Sequence, residues 1–382
     1  MSGEARGAAR LGPMTIPILD VAGTPAEMGA AHGRVARDAL RAFAAERVGL
    51  AGEPAWTGRS LTRAQVLALG DACLDAHRAY APDLADELDA MAEAAGLLAA
   101  EVVIVNGFTD FVDAVHAVGA GARQPGLVPA AAMNCTAFLV PGARSADGRA
   151  LFGQTWDMHE SATEHVVVLR AAPRDAPAFV AFTTVGCVGM IGMNEHGVCV
   201  GINNLSAGDG DVGVTWPFVV RKALQRRDLE GALRCVLEAR LAGAHNYLLL
   251  DAAGRGANVE ATTTRAVVTP LEGGARDGGA VVHTNHCLAP ATSAVERARD
   301  EAAVASSERR LARATALLAR RDLTPDDLQA VTRDAEGICY RGGPPRHVAT
   351  CGAVVARPAT LDFWAVRGLP SEADYRRVAL PA

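Results

Sequence analysis

One discontinuity constrains this chain more than any other feature: near residue 134 its periodicity and its charge change together. Residues 1–134 carry 16 acids against 10 arginines, whereas residues 135–382 carry 27 of each sign. Upstream, apolar residues recur at helical spacing. Thr24-Pro25-Ala26-Glu27 joins an N-cap, a proline at the first helical position and a capping-box acid, which predicts a helix running to about residue 47. Further helices are predicted over 61–80, 82–95 (closed by Gly96 as C-cap) and 101–116. Residues 117–134 are small, nearly uncharged and punctuated by Gly and Pro, so they read as a loop or linker.

From Cys135 onward the signal is short and β-branched. Strands are predicted over 136–140, 150–155, 165–170, 179–184 and 198–203, then 246–251, 257–261 and 281–284, with 348–356 and 361–366 as a closing hairpin. A helical pair within 216–242 and helices over 293–319 and 324–333 interrupt them; the last opens on a second capping box, Thr324-Pro325-Asp326-Asp327. Many strands broken by helix pairs predict stacked sheets covered by helices. At 382 residues, 50% hydrophobic, the chain is long enough for two or three domains or one large layered unit.

Composition removes several classes of function. Apart from Lys222 every base is Arg, with no basic patch or arm, so nucleic acid is not an expected partner. The uncharged stretch 176–194 is broken by Pro, Thr and Gly, so no membrane span is expected. The first fourteen residues contain Glu4 and lack an apolar run, which predicts a cytoplasmic protein whose eight cysteines are thiols. There is no C-x-x-C, H-E-x-x-H or G-x-S-x-G. Gly208–Gly213 matches G-x-G-x-x-G but sits among turn residues, so it reads as a loop. His283, His286 and Cys287 cluster without enough companions for a metal site. No metal and no cofactor are implied.

What remains is Met133-Asn134-Cys135-Thr136-Ala137-Phe138, followed twenty-two residues later by Asp157 in F-G-Q-T-W-D-M. A cysteine in a strand is ordinarily a small buried hydrophobe. A thiol where a linker meets a strand has another use: it can attack its own preceding carbonyl. The N→S shift gives a thioester that water cleaves, leaving Cys135 with thiol and free amine on one residue. An α-amino group titrates near 7.7–8.0 and can serve as the general base for that thiol. The attack builds an oxyanion, which requires fixed donors.

Here the sequence resembles the acyl-CoA:6-aminopenicillanate acyltransferase family of N-terminal-nucleophile hydrolases, and more distantly the choloylglycine hydrolase and acid ceramidase group. The resemblance rests on I-P-I-L-D-V-A-G-T-P-A-E-M-G-A-A-H-G-R (16–34), Y-A-P-D-L-A-D-E-L-D-A-M-A-E-A-A-G (80–96), N-C-T-A-F with F-G-Q-T-W-D-M, M-N-E-H-G-V-C-V-G-I-N-N-L (193–205), H-T-N-H (283–286) and A-V-R-G-L-P (365–370). It implies an α+β, four-layer αββα sandwich of N-terminal-nucleophile type. It places the nucleophile on Cys135, with autocleavage between Asn134 and Cys135, and the acid that holds the freed amine on Asp157. The oxyanion asparagine falls on Asn203, with Asn204 as the alternative, and a second functional asparagine on Asn285. Bile-salt-type relatives have an arginine three residues before the acid; this chain has Gln154. A further arginine of the relatives has no secure counterpart among Arg341 and Arg346, and Thr350 competes for that slot.

Each residue also has a plain reading. Asp157 can cap or pair with an arginine, Asn203 can end a strand, and Asn285 can sit in a turn. Trp156 and His159 flank the acid and either line a substrate pocket or belong to the core. His32 and Gly33 read as helix packing, and Glu260 as a structural ion-pair partner. The expectation is an autoprocessed cysteine amidohydrolase cleaving a linear amide through an acyl-enzyme on Cys135. The alternatives are transfer of an acyl group from acyl-CoA to an amine and a non-catalytic binding module. Residues 1–134 and 135–382 would be two pieces of one folded unit, so the partners are a small-molecule amide or acyl donor and the chain's own cleaved N-terminal fragment. Self-association as a homo-oligomer stays open.

Overall fold

The computed structural model describes residues 15–118, 135–271, 279–343 and 347–381. Two sheets stack face to face. One has eight strands: β1 (Ile18–Gly23), β4 (Val166–Pro173), β5 (Phe179–Thr184), β6 (Ile191–Asn194), β7 (Cys199–Asn204), β8 (His245–Leu250), β9 (Gly256–Ala261) and β10 (Ala266–Pro270), in that spatial order. The other has six, in the order β11 (Val281–His283), β2 (Thr136–Val140), β3 (Leu151–His159), β12 (Val348–Arg357), β13 (Asp362–Arg367) and β14 (Arg376–Arg377). All ladders are antiparallel except β1 with β4.

Alternation along β2 and β3 divides their side chains between two cores. Ala137, Leu139, Phe152 and Trp156 join the apolar core between the sheets. Phe138, Val140 and Leu151 join a second core with Ala314, Leu318, Leu328 and Val331, beneath helices of residues Glu301–Leu317 and Pro325–Thr332. The eight-stranded sheet is covered by α1 (Pro25–Val35), α2 (Arg37–Ala51), α3 (Arg63–Tyr80), α4 (Pro82–Ala95), α5 (Ala99–Val105) and α6 (Phe108–Val118), together with α7 (Trp216–Ala223) and α8 (Leu229–Leu237). With α9 (Glu301–Leu317) and α10 (Pro325–Thr332) on the other side, the order of layers is αββα, as the resemblance implied.

Both capping boxes form. Glu27 N–H donates to Thr24 Oγ1 at 3.2 Å while Glu27 Oε2 accepts from Thr24 N–H at 2.7 Å, and Thr324 and Asp327 do the same at the start of α10. Gly96 closes α4 with φ +68°. The predicted single helix over 101–116 is instead α5 and α6. Asn106 breaks it by turning its side chain onto Val102 O and Gly186 O while accepting from Val188 N–H. The helix predicted over 24–47 is likewise divided at Ala36, and that predicted over 293–319 begins only where Asp300 caps Ala303 N–H. Gly208–Gly213 is a loop.

His32 and Gly33 do pack α1. His32 Nε2 accepts from Gly186 N–H at 2.8 Å, and burial pushes this imidazole down to about 4, so it is neutral and able to accept. The α1 backbone lies against α4: a Cβ on Gly29 would meet Glu87 O at 1.9 Å, and one on Gly33 would meet Met91 O at 2.4 Å. A Gly29→Ala chain is therefore expected to lose about 1–3 kcal/mol in urea unfolding through overpacking. Gly49→Ala, in α2 with open space around it, is expected to be neutral or stabilising by up to about 1 kcal/mol.

Candidate active site

The register of β2 against β3 sets Thr136 opposite Thr155, so Cys135, one residue before β2, falls beside the end of β3 that carries Asp157. Asp157 N–H lies 3.4 Å from Cys135 Sγ. The thiol is 2% exposed, and burial, reinforced by the Asp157 charge, pushes it up to about 12. In this environment it is a protonated thiol and a weak nucleophile.

Asp157 is fully buried, and neither carboxylate oxygen has a hydrogen-bond partner among the described residues. Burial raises it to about 7, against the opposing pull of the Arg310 guanidinium and the hydroxyl of Thr350, its register partner on β12. Thr350 therefore occupies a place beside the acid. Arg341 lies on the surface with Glu372, and Arg346 is outside the described residues, as is Asn134.

The arginine that reaches this site is Arg310 of α9, which sequence reasoning missed. Its Nη1 donates to Cys135 O at 2.6 Å and to Thr136 Oγ1 at 3.1 Å, and its Nη2 donates to Asn285 Oδ1 at 3.0 Å. Burial lowers it to about 10, countered by Asp157 and Cys135. The available signal was faint: Ser307, Arg310 and Ala314 are the buried positions of α9, a helical stripe hidden within an arginine-rich run.

Asn285 is held on every side. Its Nδ2 donates to Asn204 O at 3.0 Å, its N–H donates to Ser307 Oγ at 2.9 Å, and its carbonyl accepts from Arg299. It connects Arg310 to the end of β7. Asn203 is different. Its Oδ1 accepts from Asn246 Nδ2 at 3.3 Å, while its buried Nδ2 has no partner among the described residues. Asn204, half-buried at the end of β7, leaves Oδ1 without a partner among the described residues.

Gln154 joins the two sheets at this point. It pairs with Ala137 in the ladder and clamps Ile202 from the opposite sheet, with Ile202 N–H donating to Gln154 Oε1 at 2.9 Å and Gln154 Nε2 donating back to Ile202 O. The strand bearing the thiol is thus tied to the strand bearing Asn203. Trp156 packs edge-on against Phe182 in the core between the sheets, its rings 6.1 Å apart, so the core reading of Trp156 is the one the packing favours. His159 sits two residues beyond Asp157 among Trp56, Phe43 and Phe108 and lines a separate cavity. Glu260 accepts from Leu288 N–H, Ala289 N–H and Thr292 Oγ1 and pairs with His283 at 2.9 Å. Among the described residues no three His, Cys, Asp or Glu side chains gather as metal ligands, and no helix is long and apolar enough to cross a membrane.

Two stacked sheets thus lie between helix layers, with a buried thiol and carboxylate meeting where β2 begins. The chain belongs to the acyl-coenzyme A:6-aminopenicillanic acid acyl-transferase family, whose model matches residues 144–344. A similar relative is the acyl-coenzyme A:6-aminopenicillanic-acid-acyltransferase 40 kDa form of Emericella nidulans, 25% identical over 267 residues, covering 70% of this chain and 68% of that protein. Among solved structures, a mutant conjugated bile acid hydrolase from Clostridium perfringens matches at 13% identity and TM-score 0.41, covering 64% of this chain and 98% of the other. Penicillin V acylase from Agrobacterium tumefaciens matches at 13% identity and TM-score 0.41, covering 61% and 83%.

The raised Asp157 has a consequence for stability. Between its unfolded value near 4 and its folded value near 7 the folded chain binds a proton that the unfolded chain does not, so stability falls as pH rises through that window. In a Cys135→Ala background, adding Asp157→Asn is expected to stabilise the chain at pH 8 by on the order of 2–4 kcal/mol. The gain should shrink toward zero by pH 4, as read from urea midpoints across the range.

Proposed function

We propose that this protein is an autoprocessed cysteine amidohydrolase whose nucleophile is Cys135. The observation that carries the reading is the buried Asp157 carboxylate, beside Cys135 and without a hydrogen-bond donor among the described residues. Attack of Cys135 Sγ on the carbonyl of Asn134 forms the C–S bond of a thioester as the peptide C–N bond breaks. The nitrogen takes the thiol's proton and becomes the α-amine of Cys135, and water then hydrolyses the thioester. The ammonium form of that amine supplies the charged donor that Asp157 lacks.

In the processed enzyme the neutral amine accepts the proton of the Cys135 thiol as the sulfur attacks a substrate carbonyl, needing no histidine. The unpaired Asn203 Nδ2 donates to the oxyanion, and Asn246 keeps that amide group turned with its nitrogen free. Arg310 holds the Cys135 carbonyl and Asn285 in place, an assignment that extends the sequence reading. The amine-derived proton goes to the leaving nitrogen, an acyl-enzyme remains on Cys135, and water resolves it. Residues 1–134 stay as the helical part of one folded unit.

Family membership favours a second reading of the resolving step, in which an amine rather than water accepts the acyl group and acyl-CoA is the donor. It also sets aside the non-catalytic binding module. Quenched reactions with N-acyl amino acids, β-lactams, and acyl-CoA with and without added amine separate the two resolving steps. Peptide mapping is expected to find the acyl mass on Cys135, and Asn203→Ala is expected to lower turnover about 10²–10³-fold. An acyl adduct on another cysteine, or an unchanged rate in Asn203→Ala, would overturn these roles.

A further inference from the structure

Three arginines are buried among the described residues, and one of them has no oxygen to hold it. Arg221 pairs with Glu87, and Arg310 donates to Cys135 O, Thr136 Oγ1 and Asn285 Oδ1. Arg47 of α2, 3% exposed, has neither an ion pair nor an oxygen acceptor among the described residues. Its Nη1 is directed at the thioether of Met158, 3.7 Å away, and its Nε is enclosed without a partner. Nη2 makes no hydrogen bond either but, unlike Nε, is not closed off from accessible space. The guanidinium is held between the Phe43 and Phe108 rings, 4.6 Å from each centre. These rings attract a cation but supply no acceptor.

The described neighbours do not balance this charge at contact distance. Glu46, the preceding residue of the helix, lends a field but turns its carboxylate to Ser161 and His159. Burial keeps His159 neutral and the Cys187 and Cys351 thiols protonated. Burial also pulls Arg47 down to about 10, so it remains a cation at neutral pH. A charge buried in this way is costly until a partner arrives from outside the chain. The N–H groups left over on Nη1 and Nη2 belong to the planar fork that fits a carboxylate. A carboxylate also matches the single charge, whereas the second charge of a phosphate monoester would be left facing Glu46.

The direction of Arg47 ties it to the candidate site. Trp156 and Met158 of β3 lie in the same apolar core as Cys135, on the face between the sheets. The register that sets Thr136 opposite Thr155 brings Cys135 opposite Trp156, and Met158 follows about 7 Å further along that face. We propose that Arg47 determines specificity by binding a substrate carboxylate that stands a few atoms from the reacting carbonyl, as it does in an N-acyl amino acid. The carbonyl then lies at Cys135 Sγ and the carboxylate toward Met158, with Nη1 and Nη2 donating to it. The assignment of this ligand as substrate rests on the acyl-enzyme reading; capture of a carboxylate by Arg47 does not.

The test uses purified full-length wild-type protein, titrated calorimetrically with 4-oxononanoate. In this probe a methylene replaces the amide nitrogen of an N-acyl amino acid, so no acyl group can be transferred. The neutral 4-oxononanamide and n-hexyl phosphate are the comparisons, and the acid is expected to bind about tenfold or more tightly than either. Arg47→Met is expected to erase that preference while unfolding at an equal or higher urea concentration, since it removes a buried charge that has no partner. Arg47→Lys, which keeps the charge and loses the fork, is expected to retain only part of it. The proposal is overturned if acid and amide bind alike, if neither binds, or if the phosphate binds as tightly as the acid. It is equally overturned if folded Arg47→Met keeps the preference; where that variant does not fold, an undiminished preference in Arg47→Lys has the same force. An acyl adduct on Cys135 without the preference would remove this subsite and leave the nucleophile, and the preference without an adduct would do the reverse.

Discussion

A carboxylate buried beside a thiol is the group on which this structure turns. Leaving a buried charge unpaired costs about 3–5 kcal/mol, and burial raises Asp157 to about 7 against the pull of Arg310 and Thr350. Its neighbours are arranged around that condition. Arg310 lends a field but spends its hydrogen bonds on Cys135 O, Thr136 and Asn285, and the Thr350 hydroxyl is the other group that favours the ionised form. The Cys135 thiol is held neutral by the same burial and by the same carboxylate. A single new positive charge at the nitrogen of Cys135 would relieve both groups at once. It would lower the acid toward its ordinary range and place a base beside the sulfur.

The rest of the fold keeps that small region rigid. Gln154 ties β3 to β7 across the core, so the thiol and Asn203 are set by one pair of hydrogen bonds between sheets. Asn246 reaches from β8 to Asn203 and also to Asn258 on β9, a ladder that links three neighbouring strands of the eight-stranded sheet. On the other side Ser307 and Arg310 carry Asn285 against the end of β7. These are side-chain bonds between elements far apart in sequence, and together they specify the site more closely than apolar packing alone does.

That distinction explains what was legible beforehand. Local chemistry was readable: the boundaries of 82–95 and 179–184 coincide with α4 and β5, and both capping boxes formed where Thr24 and Thr324 predicted them. Long-range pairing was not. β1 went unrecognised because it is completed by a parallel partner, β4, about 150 residues away, and β6 because it is four residues long amid glycines. Cys135 and Asp157 stood out through their local surroundings. Arg310 did not, since nothing in its own segment separates it from the arginines around it. On either side of the opening discontinuity, described residues of both parts contribute to one apolar core.

The account's central claim is that the bond between Asn134 and Cys135 is broken by Cys135 itself. Denaturing mass spectrometry of freshly purified full-length protein, with labelling of free α-amines, tests it directly. Two fragments corresponding to 1–134 and 135–382 are predicted, the larger bearing a labelled Cys135 α-amine, and only the intact 39.5 kDa chain in Cys135→Ala. An uncleaved wild-type chain, or cleavage that persists in Cys135→Ala, would contradict it.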